Sequence, residues 1–132
     1  MAELSYPLAR DGREQVRAAS GRVVSEITLE AAVAGQLAPG DVTISPDTLR
    51  LQADFAERGG NRQLGENLRR AAELVAFGDD ELLRFYEMLR PGRSTAEELD
   101  ALAATLADRG AERCAALVRE ARSVYVRRGL IT

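Results

Sequence analysis

Apolar side chains recur at intervals of three and four through most of the chain, the spacing that builds one buried face on an α-helix. The pattern is strongest from Ser45 onward, where Pro46 occupies a first helical position and the helix should run to about Arg58 before Gly59-Gly60. A second helix should start near Asn61, with Leu64, Leu68, Ala71 and Val75 on one face, and end at Gly78. Asp79 should cap a third, carrying Leu82, Phe85, Tyr86 and Leu89, which Pro91 closes. Ser94-Thr95-Ala96-Glu97 has the spacing of a capping box, in which Ser94 and Glu97 each satisfy an orphan N–H. The helix it opens holds Leu99, Leu102, Ala103 and Leu106 on one face and reaches about Gly110. A last helix carries Cys114, Leu117, Val118, Ala121, Val124 and Tyr125. An isolated glycine is tolerated inside a helix, so this pattern allows the last two to be continuous.

Before Ser45 the periodicity fades. Residues 1–27 read as an irregular, extended N-terminal arm, with Tyr6 pushed towards an extended conformation by the ring of Pro7. Thr28 can cap a short helix towards Gln36, which Ala38-Pro39-Gly40-Asp41 stops. Val42 and Ile44 alternate with polar neighbours as a short extended link. The expected fold is all-α: a compact helical bundle of about four to five helices over 28–132, with the arm at 1–27, one domain overall.

The helix from Ser45 departs from simple amphipathicity. Leu49, Ala53 and Ala56 share one face, while Leu51 and Phe55 project from nearly the opposite side. An apolar arc that wide belongs to a central helix or to one covered by another chain, and the residues leave both open.

Composition narrows the chemistry. The chain has 132 residues, no His and a single Cys, so the commonest general base, the commonest metal ligand and any thiolate cluster are missing. All 18 basic residues are Arg, which removes the lysine of a phosphate loop. A net charge of −3 points to neither nucleic acid nor an anionic membrane. No apolar run approaches the roughly 20 residues of a membrane span, and no signal-peptide core is present, which makes the cytoplasm the expected compartment. Asp79-Asp80-Glu81 and Glu97-Glu98 sit at helix N-termini, where the helix dipole favours them. Cys114, Tyr86 and Tyr125 fall on apolar faces and read as core residues. No catalytic, cofactor-binding or metal-binding residue is expected.

Several segments in register carry a resemblance: Tyr6-Pro7-Leu8-Ala9, Ile27-Thr28-Leu29-Glu30, Ile44 through Ala53, Arg70-Ala71-Ala72-Glu73-Leu74, Leu89-Arg90-Pro91, Arg93-Ser94-Thr95, Glu97-Glu98-Leu99, Cys114-Ala115-Ala116, Val118-Arg119-Glu120-Ala121 and Tyr125-Val126. In their order and spacing the chain resembles the small (gamma) subunit of adenosylcobalamin-dependent diol and glycerol dehydratases. That resemblance implies a lyase converting a 1,2-diol or glycerol to the aldehyde plus water. It implies a hetero-oligomer with two copies each of a large TIM-barrel subunit, a medium subunit and the small one. Adenosylcobalamin would be bound by the other subunits, and this chain would be inactive alone. A helical adaptor that kept the subunit fold without the enzyme is the alternative.

The candidate large-subunit interface comprises Tyr6, Pro7, Leu8, Leu51, Phe55, Arg90 and Arg93. Tyr6 and Leu8, held by Pro7, would form an anchor of low entropic cost. Two departures from the family pattern stand out. Gly92 replaces a residue that is often bulky, and the added N-terminal segment linked to microcompartment packaging is not seen before Tyr6, which argues against packaging.

Overall fold

Short-range hydrogen bonds set the limits of most helices. The computed structural model describes residues 4–132. Its elements are α1 (Leu8–Asp11), a 3₁₀ turn (Val24–Glu26), α2 (Leu29–Val33), α3 (Pro39–Val42), α4 (Pro46–Arg58), α5 (Arg62–Leu74), α6 (Asp79–Leu89), α7 (Ala96–Asp108) and α8 (Glu112–Arg127). The fold is all-α. Among the described residues β pairing is confined to an isolated antiparallel bridge between Arg17 and Val23. Thr28 caps α2 by accepting the Ala31 N–H at 3.1 Å, and Asn61 caps α5 by accepting that of Leu64 at 3.0 Å. Gly60 and Gly110 stop α4 and α7 in the left-handed region, at φ +86° and +83°. There the Asn61 and Ala111 N–H groups reach back to Ala56 and Leu106, satisfying carbonyls that the helix leaves unpaired.

The chain falls into two compact units, residues up to Leu68 and residues from Arg69. In the first, the segment before Thr28 is not an extended arm. Pro7 opens a helical turn over Leu8–Asp11, and the Tyr6–Pro7 peptide bond is cis. Leu8 and Val16 are buried, so this segment supplies core residues that its weak periodicity does not announce. Nor is 38–42 a plain break: Pro39 starts α3, whose first turn Asp41 closes by accepting the Ala38 N–H at 2.7 Å. Val42 therefore ends a helical turn instead of entering an extended link, and the extended backbone begins at Thr43 and includes Ser45. Gly65 is buried where α5 crosses α4; a Cβ there would lie 2.7 Å from Glu57 Cγ and 3.3 Å from the Ala53 carbonyl.

The second unit is built on α6, α7 and α8. Leu99, Leu102, Ala103 and Leu106 of α7 pack with Ala111, Cys114, Ala115 and Val118, and with Phe77 and Phe85. The two phenyl rings meet edge to face, centroids 5.5 Å apart. Several boundaries differ from the expected ones for identifiable reasons. Helix α5 ends at Leu74, before Gly78, because the following turn delivers Phe77 to the core. Gly78 is the N-cap of α6, and Glu81, not Asp79, accepts its N–H. The capping box is Thr95 with Glu98, one residue later than expected, because the Ser94 hydroxyl donates instead to the Met88 carbonyl at 2.8 Å. Helices α7 and α8 are separate, since Gly110 adopts the left-handed conformation. Tyr125 is a core residue whose hydroxyl donates to the Leu89 carbonyl at 2.6 Å, whereas Tyr86 is 79% exposed.

Candidate functional site

Helix α4 organises the first unit. Ala53 on its inner face is fully buried, and Leu49, Leu51, Phe55 and Ala56 are all half-buried. Apolar residues on both sides of α4 are thus largely covered within the unit, the first by burial of Ala53 and the second by the N-terminal segment. Leu51 lines a groove with Val16 and Ala18, and Phe55 carries the Tyr6 ring at a centroid distance of 6.1 Å. The Arg58 guanidinium lies 5.2 Å from the centroid of the Phe55 ring. Tyr6 itself is 71% exposed. With Gln52, Phe55, Ala56, Leu64 and Leu68 it lines an open, mostly apolar groove of about 440 Å³. The structure therefore brings together Tyr6 and Phe55, two of the residues proposed from sequence for an interface.

The other candidates fall differently. Leu8 is buried in its own unit and has no surface to offer a partner. Its place on α1 faces inward, where it packs beside Gly12. Pro7 is half-buried and its carbonyl accepts from the Arg10 and Asp11 N–H groups. In the second unit Arg90 and Arg93 are exposed and converge on Glu87, at 3.1 and 3.6 Å. Sequence reasoning missed the exposed Leu29, Val33, Val42, Ile44, Leu83 and Tyr86. For Leu83 a signal existed, since it lies off the Leu82–Phe85–Leu89 stripe.

The polar clusters are structural. Asp41 is buried; its carboxylate accepts from Ser20 Oγ and lies 3.2 Å from Arg22 Nε. Arg22 also donates to the Gln36 carbonyl, so one carboxylate ties the 17–23 loop to α3. The Ser20 hydroxyl, the Ala38 N–H and Arg22 together hold the Asp41 carboxyl below its ordinary range. The Gly78 N–H and Arg109 do the same for Glu81, and Arg109 stacks 4.0 Å from the Phe77 centroid. Burial, followed by the neighbouring Glu73 carboxylate, pushes the Cys114 thiol up to about 12, which removes it as a nucleophile. Among the described residues no three His, Cys, Asp or Glu side chains converge as metal ligands. The chain has no imidazole, and the grooves of the first unit are open, with Arg17, Asp41 and the Ser45 and Thr48 hydroxyls among the aliphatic side chains that line them.

Residues 1–132 match the family described as dehydratase small subunit. The chain belongs to that family. It is 45% identical over 124 residues to the propanediol dehydratase small subunit of Citrobacter freundii and 46% identical over 124 residues to that of Salmonella typhimurium. Each alignment covers 93% of this chain and 72% of the relative. Membership of a small-subunit family accords with polar clusters that cap and tie helices and with an exposed Tyr6–Phe55 groove. Among the described residues no helix is long and apolar enough to cross a membrane.

Proposed function

We propose that this chain is the non-catalytic small subunit of an adenosylcobalamin-dependent propanediol dehydratase, a hydro-lyase converting propane-1,2-diol to propanal and water. The observation that carries this reading is the match to small subunits along nearly the whole chain, at 45–46% identity. The names of both relatives favour propane-1,2-diol over glycerol as substrate. Adenosylcobalamin is bound by the other subunits, and no step of the reaction passes through a residue of this chain. The partners are a large and a medium subunit, two copies of each with two of this one. Tyr6 and Phe55 form the centre of one contact with the large subunit, Pro7 and Leu51 flank it, and Arg90 and Arg93 contribute charged contacts from the second unit. The assembly works in the cytoplasm.

Reconstitution tests this. The purified chain with adenosylcobalamin should produce no aldehyde from propane-1,2-diol. Activity should appear when large and medium subunits are added, in a complex containing all three chains. Aldehyde formation by the chain alone, or a complex that excludes it, would overturn the reading.

A further inference from the structure

Helix α6 buries one face and leaves another unpartnered. Leu82, Phe85 and Leu89 turn towards the core of the second unit, whereas Leu83 is 67% exposed and Tyr86 79% exposed. Successive helical residues advance by about 100°, so Asp79, Leu83, Tyr86 and Arg90 fall within an arc of about 60°. Their spacing of four, three and four is that of the seam along which two helices pack. Asp79 and Arg90, at the two ends of this seam, are exposed. Glu81, and not Asp79, closes the N-terminal cap of α6, which leaves the Asp79 carboxylate to the solvent.

The order of these four residues identifies what fits the face. Asp79 and Arg90 lie equally far from the point midway between Arg84 and Phe85, and so do Leu83 and Tyr86. A two-fold axis through that point lays a second α6 antiparallel to the first. Leu83 of each copy then meets Tyr86 of the other, and Asp79 of each meets Arg90 of the other. An isologous contact requires such self-complementarity; a contact with an unrelated chain does not. The margin carries both signs: Asp80 and Arg84 flank the seam, and Glu87 holds Arg90 and Arg93 at 3.1 and 3.6 Å. A second copy is not repelled by a mixed margin, whereas nucleic acid and anionic lipid need an excess of basic residues. Tyrosine supplies contact area at low entropic cost, and the antiparallel arrangement sets opposed helix dipoles side by side.

We propose that two copies of the unassembled chain pair through α6, with Leu83 and Tyr86 at the centre of the contact and Asp79 and Arg90 at its ends. A helix of 11 residues is about 16 Å long. The contact therefore lies below the area of stable dimers, and the pairing is weak, with a Kd on the order of 100 µM. The proposal does not depend on the small-subunit reading. Arg90 is assigned there to a contact with the large subunit, so this pairing belongs to the chain before assembly.

Sedimentation equilibrium of the full chain, over concentrations about tenfold either side of that Kd, should show a monomer–dimer equilibrium. Leu83→Ser combined with Tyr86→Ser should abolish the dimer. Circular dichroism and the melting temperature should not change, because both side chains are exposed. Asp79→Arg sets Arg against Arg at both ends, and Arg90→Asp sets Asp against Asp. Each alone should weaken Kd by about tenfold or more. An equimolar mixture of these two variants should recover a dimer of wild-type affinity, since every end contact is again opposite in sign. Loss of fold in either variant could not produce that recovery. A wild-type chain that stays monomeric throughout overturns the proposal. So does a dimer that survives Leu83→Ser with Tyr86→Ser, or a mixture of the charge variants that does not pair. None of these outcomes bears on the small-subunit reading.

Discussion

Glu73, near the end of α5, caps the helix that carries Cys114. Its two carboxylate oxygens accept the backbone N–H groups of Arg113 at 3.0 Å and Cys114 at 2.9 Å. The residue at the N-cap position of α8 is Ala111, whose side chain has no acceptor. A side chain some forty residues away in sequence therefore performs the role usually taken by a local Ser, Thr, Asp or Asn. Glu73→Ala should destabilise the chain by about 1–2 kcal/mol, and Glu73→Gln by less because one oxygen acceptor remains. Chemical denaturation of the isolated chain measures both; equal stability of wild type and alanine variant would remove the cap from the account.

The same carboxylate, with burial, keeps the Cys114 thiol protonated. A thiol reagent at pH 8 should leave the native chain unlabelled and modify it fully in denaturant. The folded thiol ionises near 12 against an ordinary value of 9.0, so the folded state binds more protons between them. The contribution of Cys114 to stability is then complete below about pH 9 and lost as pH rises towards 12. Cys114→Ala should lack that alkaline component in a stability profile.

Asp41 titrates in the opposite sense. Its folded-state pKa lies below the ordinary 3.8, so its contribution is fully present above that pH and is lost as pH falls through the lowered value. Asp11 and Glu81 are lowered too and add to the same acid loss. Asp41→Ala should be less stable than wild type at pH 7, and the difference should shrink as the solution is acidified below pH 3.8. A difference independent of pH would show that packing, not the carboxylate, sets the effect.

Two side chains close the C-terminal end of α6, where carbonyls lack helical partners. Ser94 serves Met88 and Tyr125 serves Leu89. Tyr125→Phe should cost about 1 kcal/mol and Ser94→Ala a similar amount. Thermal melts of the single and double variants should give non-additive losses, because the two bonds end on the adjacent carbonyls of Met88 and Leu89 at one helix terminus.

Tyr6 and Leu8, two residues apart, should separate binding from folding. Tyr6→Ala removes an exposed ring and should weaken association with the larger subunits while shifting the melting temperature little. Leu8→Ala empties a buried site and should cost about 2–3 kcal/mol in the isolated chain. Binding unaffected by Tyr6→Ala would transfer the Tyr6–Phe55 contact from the interface to the fold.

The sequence alone determined which side-chain groups the chain lacks and where most helices lie. Absence of histidine and lysine is a compositional fact that no folding can reverse. Helices α4 to α8 were legible to within a residue or a few because 3.6-residue spacing, Pro46, Gly60 and the polar starts at Asn61 and Ser94-Thr95 act over short range. The tertiary structure decided what distant residues do to one another. Leu8, Val16 and Asp41 are buried, with Asp41 held by Ser20 and Arg22 some twenty residues earlier and Val16 set beside Thr48 and Leu49, so a segment of weak periodicity joins a core. Tyr6 and Phe55 could each be singled out from sequence, yet their apposition depends on the path of the intervening chain. The apolar periodicity of α6 likewise did not tell Phe85, which enters the core, from Tyr86, which faces out, because neighbours one step apart differ by about 100° and only packing fixes the inward direction.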